Sequence, residues 1–246
     1  LSIAMVGVFC VQQLWVKISN KHKQKPTSFL RRLIGRVLIT GLTLASKQFK
    51  DTNDLRTIGV DEAGRGPLVG SVVAAAVILP PDFYLSGLTD SKKLSEKKRD
   101  SFYQQITNWC DWSVGEASSI EIDQINILQA TMLAMKRAII DLQENYSKQR
   151  GITMFNVIVD GNQCPDLPNC IAIVKGDLSE TAISAASIIA KVTRDRQMRE
   201  LDSQYPQYGF AQHKGYCTQK HLIALSKYGP IKGIHRQSFS PIQELV

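Results

Sequence analysis

Apolar residues gather in short runs separated by polar and glycine-bearing stretches, and longer segments carry a helical period between them. This is the pattern of an α/β chain. The short runs predict strands over 56–61, 71–79, 109–118, 155–160 and 171–174. The second is rich in Val and Ala and lacks alternation, as expected of a strand buried on both faces. Helices are predicted over 95–108, 122–146, 179–205 and 218–228. In the second of these, Ile125, Leu128, Met132, Met135 and Ile139 recur at spacings of three and four, which predicts a core-facing stripe. Beyond the last strand the pattern is mostly helical. There is no internal repeat, and the polar stretch around 50–56 marks the one evident boundary.

Composition adds to this picture only once it is divided. At 246 residues and 43% hydrophobic content, the chain can bury one good-sized core plus a small appendage. The net charge is +8, but residues 1–50 hold nine Lys/Arg and no acid. Residues 51–246 therefore carry 21 Lys/Arg against 22 Asp/Glu, a net of −1, so any nucleic-acid footprint there must be local. The first sixteen residues are apolar and the basic residues follow them, the reverse of a signal peptide. As a membrane span the segment is short and contains Gln12 and Gln13. The expectation is an extension outside the fold; an organellar leader and a weak membrane or DNA tether are the alternatives. Five cysteines make no CxxC pair and no zinc spacing, which predicts reduced thiols in a cytoplasmic protein.

Candidate chemistry begins at Asp61-Glu62-Ala63-Gly64-Arg65-Gly66-Pro67. Adjacent carboxylates suit hard divalent cations, and Gly64 and Gly66 remove side chains that would keep a nucleic-acid strand from the main chain. Asp61 and Asp160 each end an apolar run. If those strands are neighbours, the two carboxylates stand roughly 5 Å apart at one sheet end. Glu62 points to the opposite face of a regular strand, so it joins them only if the strand ends or bulges there. Asp177, before a predicted helix, reads on its own as an acid at a helix N-terminus. Tyr216 in His213-Lys214-Gly215-Tyr216 reads equally as a packed aromatic or a contact residue. No Ser or Cys nucleophile with a paired base is visible, which disfavours a covalent intermediate.

The first heptapeptide, Asp90-Ser91-Lys92-Lys93-Leu94, Val159-Asp160-Gly161-Asn162, Lys175-Gly176-Asp177, the run from Ser184 to Asp195 and Gly233-Ile234-His235-Arg236-Gln237-Ser238-Phe239 together resemble ribonuclease HII. The resemblance spans about 57–242 and follows HII rather than HIII at Arg65-Gly66-Pro67. It implies a ribonuclease H-like fold, a mixed sheet flanked by helices with a small helical C-terminal region. The expected division is an extension over 1–55, a catalytic domain over 56–205 and a substrate-binding region over 206–246. It further implies that Asp61, Glu62, Asp160 and Asp177 are catalytic metal ligands. Four carboxylates without His or Cys point to Mg²⁺ or Mn²⁺, with two ions sharing phosphodiester hydrolysis by water and leaving 3′-hydroxyl and 5′-phosphate ends.

Under the same resemblance the substrates are RNA–DNA hybrids and duplex DNA carrying ribonucleotides, nicked on the 5′ side. Main-chain groups at Gly64, Arg65 and Gly66 would meet the 2′-hydroxyl, Tyr216 would stack on the next sugar, and Ser91 and Lys92 would contact phosphate. A monomer is expected, with no membrane partner. Two other readings are a two-metal nuclease of different specificity on this fold and a hybrid-binding module without catalysis. Arg194 and Arg196 stand between phosphate contact and solvated helix face. His213, beside Lys214, reads as a surface residue, and neither it, His221 nor His235 is assigned to catalysis. Asp195 reads as an ion-pair partner.

Overall fold

The computed structural model describes residues 55–245 except Asp90, and of Lys92 only the backbone. Every expectation on the extension, and that on the Lys92 side chain, lies outside the described residues. Five strands form one sheet: β1 (Arg56–Ala63), β2 (Val72–Ile78), β3 (Asp111–Ala117), β4 (Phe155–Asp160) and β5 (Cys170–Ile173). Their order is β3-β2-β1-β4-β5, antiparallel among the first three and parallel from β1 through β4 to β5. The sheet is mixed, as expected.

The alternation of β2 sorts its side chains into two cores. Val72, Ala74, Ala76 and Ile78 face α2 (Ser119–Arg150), where Ala134, Met135, Ala138, Ile139 and Leu142 meet them. Ala75 and Val77 face α1 (Glu96–Trp109) and the long helix α4 (Thr181–Gln204). All seven residues of β2 are buried. Close approach depends on missing side chains: a Cβ at Gly115 would lie 2.2 Å from the Ala134 carbonyl oxygen, and one at Gly59 2.2 Å from the Ala182 carbonyl carbon. Helix starts follow the local sequence. Ser95 caps α1, and Ser118 with Glu121 closes a capping box on α2.

Two helices depart from the pattern-based expectation. Helix α2 starts at Ser119 and is interrupted at Asn126 (φ 65°, ψ 164°), whose Oδ1 accepts the N–H groups of Leu128 and Gln129 at 3.0 and 3.1 Å. Asn126 thus caps a second helical piece and resets its phase. Ile125 is consequently exposed, and the core stripe runs through Ile122, Ala130, Ala134, Met135, Ala138 and Ile139. The predicted helix 179–205 forms over Thr181–Gln204, starting two residues later than expected. A single turn, α3 (Gly176–Ser179), precedes extended Glu180, and α4 follows. Ser184 Oγ donates to the Asp177 carbonyl at 2.8 Å and holds that turn against α4.

The C-terminal part carries α5 (Phe210–His213) and α6 (Gln219–Tyr228). Phe210, Tyr208, Ala224, Leu225 and Ile242 make a third core with Leu68 and Val69 of the β1–β2 loop and Met198 of α4. Cys110, Cys164, Cys170 and Cys217 are free thiols.

Candidate active site

Parallel pairing aligns β1 and β4 through Val60 and Val159, so Asp61 and Asp160 follow side by side at the same sheet end. The turn after β5 brings Asp177 to them: its backbone N–H donates to Asp160 Oδ1 at 3.4 Å. Carboxylate oxygens of all three lie within 4.8 Å of one another. Asp61 and Asp177 are buried, at 6% and 8% exposure. Burial, then the charges of Glu62 and Asp160, push the Asp61 carboxyl well above the usual carboxylate range. Such a cluster of hard oxygen donors is electrostatically unfavourable by itself and fits a divalent cation.

Glu62 stands differently. Strand β1 keeps its pairing to Ala63, with Glu62 opposite Ala74 and Asp61 opposite Ala75. The two side chains therefore leave on opposite faces, and Glu62 lies outside the triad, accepting from Arg65 Nη1 at 3.3 Å.

The structure brings Gly66 and Tyr216 together. A Cβ at Gly66 would lie 3.6 Å from Tyr216 Cε1, an ordinary contact, and the Tyr216 ring is half-exposed. Gly64 has φ +96°, and a Cβ there would lie 1.9 Å from Arg194 Nε. Ser91 is not on the surface. Its hydroxyl lies 2.8 Å from that of Ser187, which in turn bonds to the Asp61 carboxylate.

Expectations change for Arg194 and for the histidines. Arg194 is no phosphate contact: it is 1% exposed and donates to the carbonyls of Val69 and Lys214 at 2.9 and 3.1 Å. Arg196, by contrast, is exposed and lies over the Tyr103 ring at 4.2 Å. The histidines are not surface residues. His213, His221 and His235 are buried around Phe210, with His213 and His221 stacked at 4.5 Å. Asp195 is an ion-pair partner, through Lys191 at 2.6 Å. Residues given no role from sequence, Ser187 and Arg236, prove to line this region. Their visible signals are a hydroxyl within an Ala/Ile run and a cation between buried segments.

Comparison with known proteins accords with this geometry. The ribonuclease HII family model matches residues 58–242. Ribonuclease HII of Polynucleobacter necessarius subsp. necessarius (strain STIR1) is 56% identical over 188 residues, 76% of this chain and 93% of that protein. The ribonuclease H2 structure from Pyrococcus horikoshii OT3 superposes with a TM-score of 0.60 at 25% identity, covering 78% of this chain and 97% of that one. Bst-RNase HIII in complex with Mn²⁺ gives a TM-score of 0.65 at 16% identity, over 80% and 71% of the two chains, a likeness of fold. The fold is ribonuclease H-like, and this chain belongs to the ribonuclease HII family, endoribonucleases that hydrolyse RNA in RNA–DNA hybrids.

Proposed function

We propose that this ribonuclease HII cleaves both RNA–DNA hybrids and duplex DNA containing single ribonucleotides, nicking on the 5′ side with Asp61, Glu62, Asp160 and Asp177 as its acidic ligands. The observation that carries the reading is the cluster of Asp61, Asp160 and Asp177, with the Gly66–Tyr216 contact a few residues on in the same chain segment as Asp61. Divalent cations, Mg²⁺ or Mn²⁺, supply charge neutralisation at the phosphodiester and an acidified water when bound. Asp61 and Asp160 hold that charge at the sheet end. Asp177 is fixed by its own N–H bond to Asp160. Glu62 serves from the adjoining face at the strand end, where its charge already reaches Asp61.

Ribose is distinguished at the main chain of Gly64, Arg65 and Gly66, with Tyr216 against the neighbouring sugar. Lys92 and Ser91 act at the phosphate side, Ser91 through Ser187 and Asp61 rather than by surface contact. Residues 206–246 then form the substrate-binding region, held to the β1–β2 loop and α4 by the core they share with Leu68, Val69 and Met198. No helix among the described residues is long and apolar enough to cross a membrane; a cytoplasmic monomer acting on nucleic acid is the accompanying reading.

The test is a labelled DNA duplex with one internal ribonucleotide, incubated with and without Mg²⁺ or Mn²⁺. A metal-dependent nick 5′ of the ribonucleotide, leaving 3′-hydroxyl and 5′-phosphate ends, is expected. Cleavage confined to continuous hybrid would refute the second substrate.

A further inference from the structure

Residues Ile234 to Arg236 run beside the β1–β2 loop. Gly70 N–H donates to the Ile234 carbonyl and Arg236 N–H to that of Leu68, each at 2.9 Å, and Val69 forms a β-bridge with His235. From this segment, two consecutive side chains reach the two halves of the ribose-facing wall.

Arg236 is wholly buried. Its Nη2 donates to the Gly64 carbonyl at 2.6 Å, Nη1 to that of Arg65 at 2.9 Å, and Nε to that of Gly70 at 2.9 Å. In a trans peptide the C=O and the following N–H point in opposite directions. Drawing the Gly64 and Arg65 carbonyls inward therefore turns the N–H groups of Arg65 and Gly66 outward. The planar guanidinium holds these two carbonyls together with those of Gly70 and Ser71 in fixed geometry, which an ammonium cannot reproduce.

His235 serves the other half. Its Nδ1 accepts the Ile231 N–H at 2.9 Å, so its proton sits on Nε2 and is donated to His221 Nε2 at 3.3 Å. His221 then carries its own proton on Nδ1 and donates it to the Tyr216 carbonyl at 2.9 Å. The relay ends on the residue whose ring covers Gly66.

We infer that His235 and Arg236 are a pair of positioning residues that fix Tyr216 and the Gly64–Gly66 amides relative to each other, and so set discrimination between ribose and deoxyribose. The inference rests on the reading that these groups meet the sugar. Burial supports the fixed geometry: it draws the Arg236 guanidinium down to about 9, followed by the charge of Arg194, and His235 down to about 4, followed by that of His221.

The test compares Arg236→Lys, His235→Phe and Tyr216→Ala with the wild type. Steady-state kinetics are run on the single-ribonucleotide duplex and on continuous hybrid, with Mn²⁺ affinity and amide exchange over residues 64–71 measured alongside. Arg236→Lys is expected to lose about 100-fold in kcat on the single ribonucleotide, the scale of a ~1 Å misplacement. Its loss on hybrid should be smaller, its Mn²⁺ affinity unchanged and its exchange faster over 64–71. His235→Phe should shift the same preference and carries the test if Arg236→Lys does not fold. Folded variants that keep the wild-type preference while Tyr216→Ala loses it overturn the positioning role. Tyr216→Ala with wild-type preference and rate overturns the sugar-contact reading itself, and the inference with it.

Discussion

Gly64 and Gly66 differ in why they are glycine, and the difference is measurable. Gly64 has positive φ, and its missing Cβ makes room for Arg194 Nε at 1.9 Å. Gly64→Ala should destabilise the protein by about 1–3 kcal/mol from backbone strain alone, with steric displacement of Arg194 added. Gly66 has ordinary space, 3.6 Å to Tyr216 Cε1. Gly66→Ala should therefore melt like the wild type yet cleave both substrates poorly, because a methyl group now stands where the strand must approach the main chain. Normal cleavage by a normally folded Gly66→Ala protein would show that substrate keeps away from this backbone.

At the scale of elements, two of the buried histidines, His221 and His235, couple the C-terminal region to pH. Gly215 N–H donates to His213 Nδ1 at 3.3 Å, so His213 Nε2–H donates to the Tyr208 carbonyl, and the relay through His235 and His221 is complete with both rings neutral. Burial lowers His221, and lowers His235 from 6.5 to about 4. As pH falls, the unfolded chain takes up protons first. The stability His235 contributes is whole above pH 6.5 and is lost as pH falls from 6.5 toward 4, at up to about 1.4 kcal/mol per pH unit, and His221, lowered in the same direction, adds to the loss. Denaturant midpoints between pH 7.5 and 5 should fall in the wild type and fall less in His235→Phe. Glu121, held at about 2 first by its bond from Arg137, loses its contribution only below its ordinary 4.5, so the two windows separate. Parallel curves for wild type and variant would contradict the histidine assignment.

The same elements show what sequence could reveal. The five strands were legible because apolar runs ended at turn residues, and Asp61 beside Asp160 followed from strand neighbourhood. The stripe through Ile125 and Leu128 was not, because one residue, Asn126, takes positive φ and shifts the helical phase. Nor did the pattern show that β1 keeps its pairing past Asp61, which sends Glu62 to the other face. Arg194, Arg236 and the histidines look like surface residues by type. Their burial depends on main-chain carbonyls and ring partners brought from segments up to 172 positions away.

At the scale of the molecule, three cores, on the two sheet faces and behind the C-terminal segment, all lie within the described residues. Removing residues 1–50 should leave folding and metal-dependent cleavage in place. Binding at low salt should weaken, since nine cationic residues are lost. A truncated protein without a cooperative unfolding transition would place part of the fold upstream of residue 51. Calorimetric titration of Mn²⁺ into the wild type and into Asp160→Asn tests most directly whether the clustered aspartates Asp61, Asp160 and Asp177 form a cation site. The wild type should bind Mn²⁺ saturably and the folded variant at least about tenfold more weakly, a difference of 1.4 kcal/mol or more; equal affinity in the two proteins would contradict the account.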